Sequence, residues 1–425
     1  MAVIGAGAAG LLAAARAAER GRRTLLLEKN RRPGVKILMS GGTRCNLTHA
    51  ADRRGIVEEF GPPGRFLHSA LAALSPQDLV ELFEREGVAT KIEADTGKIF
   101  PASDKAADVL DALLARLRRS GCTLALEEPL IDLERLADGT FRLATPKRTV
   151  AAAKVLITTG GQSYPGSGTS GDGYRWAAAL GHAIVPPRPA LTPVTTDAAW
   201  VRELQGVTIG DVALRVLELG AGGRPADLGV RGGLSKQLGR GCLAARRGSF
   251  LFTHFGLSGP VVLDVSRVIS GHANPRSLVL QCDFLPEISE TELEDRLKQE
   301  AASAGKKQLG GLLTPLLPRR LTDALFALAE LPLDRRAAEL GRADRTRCVA
   351  AIKRQSIPVS GTRGFKKAEV TAGGVSLDEV DSRTMQSLKA PNLYLAGEVL
   401  DLDGPIGGYN FQAAFSTGWL AAESM

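Results

Sequence analysis

Hydrophobic positions along the chain come in two textures. Over roughly the first 190 residues, short and wholly apolar runs alternate with stretches whose apolar residues recur at helical spacing. Ala2-Val3-Ile4 reads as a buried strand, then a turn from Gly5 to Gly10, then an Ala-rich helix over 11–20. A second apolar strand at 24–27 ends on Glu28. Unbroken apolar runs between helices predict strands of a parallel sheet, covered on its faces. Ser75-Pro76-Gln77-Asp78 predicts a helix start, with Ser75 as cap and Pro76 at the first helical position. Another helix is expected from a cap at Ser103 to residue 119, with Leu113, Leu114 and Leu117 as its stripe. Runs at 98–101, 123–126, 130–133 and 141–144 predict short strands, with Ala137-Asp138-Gly139 as a hairpin turn. A further buried strand at 155–158 and a helix at 172–180 complete this texture.

From about Pro187 the pattern changes. Strand-like runs at 212–219, 250–254, 261–265 and 278–282 alternate with Gly-rich turns, and 289–350 reads as helical from a cap at Ser289. Strands at 370–375 and 393–396 then restore the first texture. The expectation is an α/β fold: a Rossmann-like domain in discontinuous segments, 1–188 and 351–425, with a β-rich domain and a helical subdomain inserted over 189–350.

The opening unit carries the first chemistry. In Gly5-x-Gly7-x-x-Gly10, the first glycine permits the tight turn and the second lets backbone approach a pyrophosphate. The third lets the helix pack closely on the strand. Free amides and the positive dipole end of the helix meet phosphates. Glu28 stands where an acid accepts hydrogen bonds from an adenosine ribose. A second Gly-rich loop, Gly34 to Asn46, brings Ser40, Gly41, Gly42, Thr43 and Asn46 together, with Lys36 and Arg44 as candidates to neutralise phosphates. The strand at 155–158 ends at Thr159-Gly160-Gly161. Just beyond, 166–171 is formally another G-x-G-x-x-G, but no strand leads directly into it and the next apolar run lacks a terminal acid, so it reads as a loop entering a helix. At the far end of the chain a strand stops at Gly397-Glu398. A loop with Asp401 and Asp403 follows, and Gly407-Gly408 opens a helix beginning Tyr409-Asn410-Phe411-Gln412. An acid for ribityl hydroxyls and a helix N-terminus for a flavin pyrimidine are what the isoalloxazine end requires. Together the two ends point to FAD rather than NAD.

The chain resembles the YhiN/BaiN-type flavoproteins, known as NAD(P)/FAD-dependent oxidoreductases or aminoacetone-oxidase-family enzymes. The resemblance spans nearly the whole chain and rests on Gly5 to Gly10, Lys36 to Asn46, Lys98 to Ser103, Gly160-Gly161, 252–260, 370–375 and Gly397 to Gln412. Thr43 departs from it, standing where the family usually shows a third glycine. The resemblance implies a discontinuous FAD domain, reduction of an activated carbon–carbon double bond, and NAD(P)H as electron donor. Its members include a bile-acid enone reductase and a dihydrouridine synthase of large-subunit ribosomal RNA. With the motifs, it nominates as cofactor-binding Gly5, Gly7, Ala8, Ala9, Gly10, Glu28, Lys29, Lys36, Ser40, Gly41, Gly42, Arg44, Cys45 and Asn46. The set continues with Leu130, Thr159, Gly160, Gly161, Gly397, Glu398, Asp403, Gly407, Gly408, Tyr409, Asn410, Phe411 and Gln412.

Composition narrows the classes. The cysteines (45, 122, 242, 282, 348) show no C-x-x-C, which argues against a disulfide framework, a zinc site or a dithiol flavoprotein; no metal is expected. The apolar start lacks the positive n-region of a secretory signal and no stretch approaches a membrane span, so a cytoplasmic location is the expectation. Net charge is +8, gathered in residues 16–54, in Arg224, Arg231, Lys236, Arg240, Arg246 and Arg247, and in 345–367. Such clusters fit a polyanion such as ribosomal RNA, or equally a set of solvated faces. Two residues are candidates for chemistry: Cys45, as an acid or a thiol of lowered pKa beside Arg44, and His254, as a proton donor between two phenylalanines. Their plain alternatives are a buried filler and a packed histidine. Three functions remain open at this level: a reductase of uridine in ribosomal RNA, a small-molecule enone reductase or amine oxidase, and a non-catalytic FAD-binding protein.

Overall fold

A computed structural model describes residues 1–220, 241–303, 305, 308–313 and 316–425. Of the predicted basic positions, Arg224, Arg231, Lys236 and Arg240 lie outside the described residues. The chain divides into two compact units, Met1–Ala190 with Phe365–Met425, and Leu191–Gly364.

The first unit is built on a five-stranded parallel sheet in the order Leu393–Leu395, Val155–Ile157, Ala2–Ile4, Leu25–Leu27, Thr123–Ala125. Ala2 pairs with Val155 on one side and with Leu25 on the other. The strands at 2–4, 155–157 and 393–395 are buried at every position, which explains their unbroken apolar runs. Helix Ala8–Glu19 packs against the C-terminal helix Tyr409–Ser424 at very short range: a Cβ on Gly418 would stand 2.6 Å from the Ala9 carbonyl oxygen. Arg16 and Arg20 both pair with Glu423, and the Arg16 guanidinium lies 4.7 Å from the Trp419 ring centre. The two ends of the chain are thereby fixed to each other.

Around this sheet sit smaller antiparallel elements. Thr48–His49, Lys98–Pro101 and Thr90–Ile92 form one sheet, Asp132–Arg135, Phe141–Ala144 and Thr149–Ala152 a meander, and Ile184–Ala190 pairs with Val370–Val375. Ser75 and Asp78 make the reciprocal capping box of helix Pro76–Arg85. Ser103 does not cap its helix. That helix is Ala106–Arg119, beginning after Lys105, and the Ser103 hydroxyl donates to Asp108 at 2.6 Å instead.

The second unit holds a seven-stranded sheet, in the order Gln355–Pro358, Leu278–Asp283, Thr208–Glu218, Cys242–Thr253, Gly256–Ser258, Val194–Thr195, Gly361–Thr362. Helices Glu290–Ser303, Arg319–Leu328 and Arg342–Lys353 follow the Leu278–Asp283 strand. Lys353 is buried, and its ammonium group pairs with Asp283 at 2.7 Å and donates to the Leu285 and Ile288 carbonyls. Two details differ from the sequence expectation. Residues 261–265 are not a strand but part of helix Pro260–Ser270. Pro260 at the first position starts the helix, and Val261, Val262, Val265 and Ile269 bury one face at helical spacing, so tertiary packing overrides β-branched propensity. The return to the first unit falls at Gly364/Phe365 rather than near 350, because Gln355–Pro358 and Gly361–Thr362 are strands of the second unit's sheet.

The close approach at Gly418 gives a direct test. Gly418→Val is expected to destabilise the protein by about 2 kcal/mol through overpacking against Ala9, seen as a lowered thermal midpoint. An unchanged midpoint would show that the two helices do not meet this closely.

Candidate functional site

The carboxyl ends of the parallel strands are where an open α/β sheet receives its ligand, and here they carry the motif residues. At the end of the first strand the backbone turns with almost no spare room. A Cβ on Gly5 would stand 2.8 Å from the Thr158 carbonyl oxygen, and one on Gly10 would overlap the Gly5 carbonyl. Thr158 fastens the turn by donating its hydroxyl to the Ile4 and Gly5 carbonyls at 2.9 and 2.8 Å. Gly7 is different: nothing lies within 4 Å of where its Cβ would be. It is the N-cap of helix Ala8–Glu19, no side chain caps that helix, and no acid sits in its first turn. Open backbone with uncapped helical amides fits a pyrophosphate. Glu28 is buried at the end of the second strand. Its carboxylate accepts from the Ala6 and Asn30 amides, both at 2.8 Å, so it organises the turn.

The flavin-end segment lies on the same sheet edge. Glu398 follows strand Leu393–Leu395 and accepts from Lys36 Nζ at 2.5 Å, from the Ser163 hydroxyl at 2.8 Å and from the Thr371 amide at 2.8 Å. Lys36 also donates to Ser163 at 2.6 Å. The Thr371 hydroxyl in turn accepts from the Gln162 and Ser163 amides. Four segments of the chain therefore meet in one charged cluster. Beside it the Tyr174 phenol is buried without a hydrogen-bond partner, and burial, then the Glu398 and Asp401 carboxylates, push its pKa up. The Thr159 hydroxyl is buried without a partner as well. Orphaned polar atoms next to an uncapped phosphate loop are the mark of a pocket shaped for a polar cofactor, and the residues fit FAD.

The turn that starts the last helix is held from below. Asn46, with its amide oriented to satisfy both ends, donates to the Thr48 and Ile99 carbonyls and accepts from the Gly408 amide at 3.0 Å. A Cβ on Gly408 would strike the backbone of Thr48. Asn410 bonds the Gly404 amide and carbonyl and the Pro405 carbonyl, closing the loop that contains buried Asp403. Tyr409 stacks on His49 with ring centres 4.8 Å apart, and the His49 Nδ1 atom is buried without a partner. Gln412 is wholly buried and engaged with Thr48, Leu74 and Ser416, while Phe411 stacks on Phe415; both side chains pack the helix.

The remaining nominated residues fall around these. Ala8 and Ala9 form the first turn of the first helix. Lys29 pairs with Asp172 and Ser170, both at 2.6 Å. The Ser40 hydroxyl donates to the Ile37 carbonyl. Gly161 packs on Thr371, Gly160 turns with φ +71°, and Leu130 is buried. Gly397 is anchored by its amide to the Thr417 hydroxyl at 3.0 Å. Arg44 is not free for a phosphate: it pairs with Glu93 at 2.7 Å, holding that carboxyl below its usual range, and lies over the Phe100 ring.

Cys45 does not fit an activated thiol. Its side chain is wholly buried, burial pushes its pKa up to about 12, and the Arg44 guanidinium is directed to Glu93 and Asp104. In the second unit His254 is exposed at the turn between Cys242–Thr253 and Gly256–Ser258, edge-on to Phe255 at 4.9 Å. Among the described residues no group of three or more His, Cys, Asp and Glu side chains is placed to hold a metal ion. None of their helices is long and apolar enough to cross a membrane. Ser163, Thr158 and His49 were missed by sequence reasoning, each a common polar residue with no local motif of its own, and Thr371 was seen within 370–375 without a site role.

Sheet, turn and acid define a Rossmann-type dinucleotide-binding protein, and the cluster at the far end of the chain makes it a flavoprotein. Residues 1–424 match the HI0933-like protein Rossmann domain, and the chain belongs to that family. It is 34% identical over 423 residues to the ribosomal RNA dihydrouridine synthase of Escherichia coli (strain K12), covering all of this chain and 97% of the relative. The ribosomal RNA dihydrouridine synthase of Haemophilus influenzae is 31% identical, covering 100% of this chain and 97% of that one. The 3-dehydro-bile acid delta(4,6)-reductase of Clostridium scindens is 31% identical, covering 99% and 98%. The chain is an FAD-dependent oxidoreductase.

Thr43 offers a test of the loop geometry. It sits at φ +71°, in the left-handed region, directly after Gly41 and Gly42 at +56° and +66°. A β-branched residue there costs about 1–2 kcal/mol, against about 0.5–1 kcal/mol of chain entropy for glycine. Thr43→Gly is expected to raise stability to urea by up to about 1 kcal/mol. A clear loss would show that the Thr43 hydroxyl, bonded to the Gly42 carbonyl, holds the loop.

Proposed function

We propose that this enzyme reduces the 5,6 double bond of uridine in large-subunit ribosomal RNA, with NAD(P)H as electron donor. Uridine, NAD(P)H and a proton become dihydrouridine and NAD(P)+. The observation that carries the reading is the full-length likeness to two proteins named ribosomal RNA dihydrouridine synthase, at 34% and 31% identity. The positive balance of the chain, +8, agrees with a polyanionic substrate. A cytoplasmic location follows from that substrate.

FAD supplies the two-electron chemistry when bound. The Gly7 turn and the first-turn amides of helix Ala8–Glu19 would hold its phosphates, and Glu28 its adenosine ribose. Gly397, Glu398 and the Gly407-Gly408 helix start would hold the flavin end, with Lys36 holding Glu398 in place. Ser163 and Thr371 fix Glu398 through two hydrogen bonds that withdraw it from bulk water.

A second reading is reduction of a conjugated enone in a small, steroid-like molecule, favoured by the 31% identity to the bile-acid reductase. The two separate cleanly. Nucleoside mass spectrometry of large-subunit ribosomal RNA should show dihydrouridine in the wild type, its loss on deleting the gene, and its return on complementation. Dihydrouridine that survives deletion would overturn the RNA reading. Turnover of a 3-oxo-Δ4 steroid by the purified protein with NADPH would then establish the second.

A further inference from the structure

Among the described residues, many cations of the basic clusters are paired with acids in the fold. Arg16 and Arg20 pair with Glu423, Lys29 with Asp172, Lys36 with Glu398 and Arg44 with Glu93. In the third cluster Arg347 pairs with Asp344, Lys353 with Asp283 and Arg354 with Glu290. Charge density in the sequence is therefore a poor guide to where a polyanion would bind. The cations left without ion pairs are the informative ones.

Four of these flank a single loop of the first unit. Arg31 and Arg32 are exposed and make no ion pair among the described residues, and the same holds for Lys366 and Lys367. The two pairs are more than three hundred residues apart in sequence. The loop at 164–168 joins them. On one side the Asn30 side chain donates to the Ser167 carbonyl at 2.9 Å. On the other, the Tyr164 amide donates to the Phe365 carbonyl at 3.0 Å. Arg31-Arg32 directly follow Asn30, and Lys366-Lys367 directly follow Phe365. The loop lies beyond the carboxyl end of strand Val155–Ile157, and Arg31-Arg32 beyond that of Leu25–Leu27, so all of it is at the ligand-binding edge of the sheet.

The loop itself suits a nucleic acid. Tyr164 is half-buried, adopts φ +53°, and its ring makes no aromatic or cationic contact among the described residues. A strained left-handed backbone at a non-glycine residue persists where the fold requires that side chain's position. Next to it Gly166 is exposed, with open space where a Cβ would be, so a phosphate can approach the backbone. The acids nearby are Glu28, which is buried and accepts the Asn30 amide, Asp172, which is paired with Lys29, Glu127, whose amide donates to the Asn30 carbonyl, and Glu369, which is itself engaged. Exposed cations interleaved with a free aromatic ring match recognition of single-stranded RNA, in which phosphates meet Lys and Arg while an unstacked base lies on the ring.

We propose that Arg31, Arg32, Tyr164, Lys366 and Lys367 form the surface that docks the ribosomal RNA strand. The proposal rests on the RNA reading above and adds where the strand is held. It also gives a role to the Gly-rich loop at 166–171.

The test uses full-length, FAD-loaded protein and an in vitro transcript of large-subunit ribosomal RNA, with affinity measured across a salt series. Replacing Arg31, Arg32, Lys366 and Lys367 by Gln is expected to weaken binding by about tenfold or more. The salt dependence should flatten by roughly 0.7 log units for each phosphate no longer neutralised. Tyr164→Ala should weaken binding without changing the salt slope, because stacking is not a counterion effect. Arg22→Gln with Arg23→Gln, at the opposite end of strand Leu25–Leu27, is the charge control and should leave affinity within about twofold of wild type. FAD content and the rate of flavin reduction by NADPH should be unchanged in every variant. Wild-type affinity and slope in the fourfold variant would overturn the surface while leaving the RNA reading intact. Loss of FAD from that variant would also overturn it, by assigning the cations to the cofactor. A wild-type protein whose binding to the transcript shows no salt dependence would overturn the RNA reading and the surface together.

Discussion

The architecture depends on one close packing of backbone on backbone. Where the first strand becomes the first helix, Gly10 lies over the Gly5 carbonyl, and Thr158 from the adjacent strand ties down the carbonyls of Ile4 and Gly5. Any side chain at either glycine would lift the helix from the sheet. Its amides would then no longer point at the space above Gly7. The Glu28 carboxylate completes the turn by accepting the Ala6 amide. The Gly7 turn, the Glu28 carboxylate and the sheet register are thus one constraint rather than three features that happen to be adjacent.

A second constraint brings in the other end of the chain. The first and last helices touch at Ala9 and Gly418, and Arg16 and Arg20 hold Glu423. This places the Gly397–Glu398 strand end beside the Gly7 turn, and Lys36 then bridges to Glu398 from the short helix Val35–Met39, which stands where the sequence suggested a loop. A site assembled from residues near 5, 36, 163, 371 and 398 requires the whole first unit to be folded. The same unit offers exposed cations at its sheet edge, so cofactor and polyanion can be received at one edge by different side chains.

Much of this was legible in the sequence, and the reason is geometric. Gly5, Gly7, Gly10 and Glu28 lie within one strand–helix–strand unit, and backbone approach restricts the residue type at each glycine. Buried parallel strands advertise themselves as apolar runs. What escaped has no local signature. Ser163 matters only because Glu398 is brought to it, and Thr158 only because Gly5 passes beneath it. Residues 261–265 read as a strand because valine favours one in isolation, whereas Pro260 and the buried face make a helix. Cys45 looked activated beside Arg44 until the fold sent the arginine to Glu93 and buried the thiol. The basic clusters left two readings open because several of their acidic partners, Glu423 for Arg16 and Arg20 and Glu398 for Lys36 among them, lie far along the chain.

Two segments nearly four hundred residues apart are proposed to hold one FAD, and that joint site is open to direct measurement. It is tested most directly by identifying and quantifying what the purified full-length protein carries. Heat release followed by chromatography and mass spectrometry should return FAD at close to one equivalent per chain, after reconstitution if necessary. Recovery of FMN or a nicotinamide dinucleotide in its place, or failure to retain FAD on reconstitution, would contradict the account.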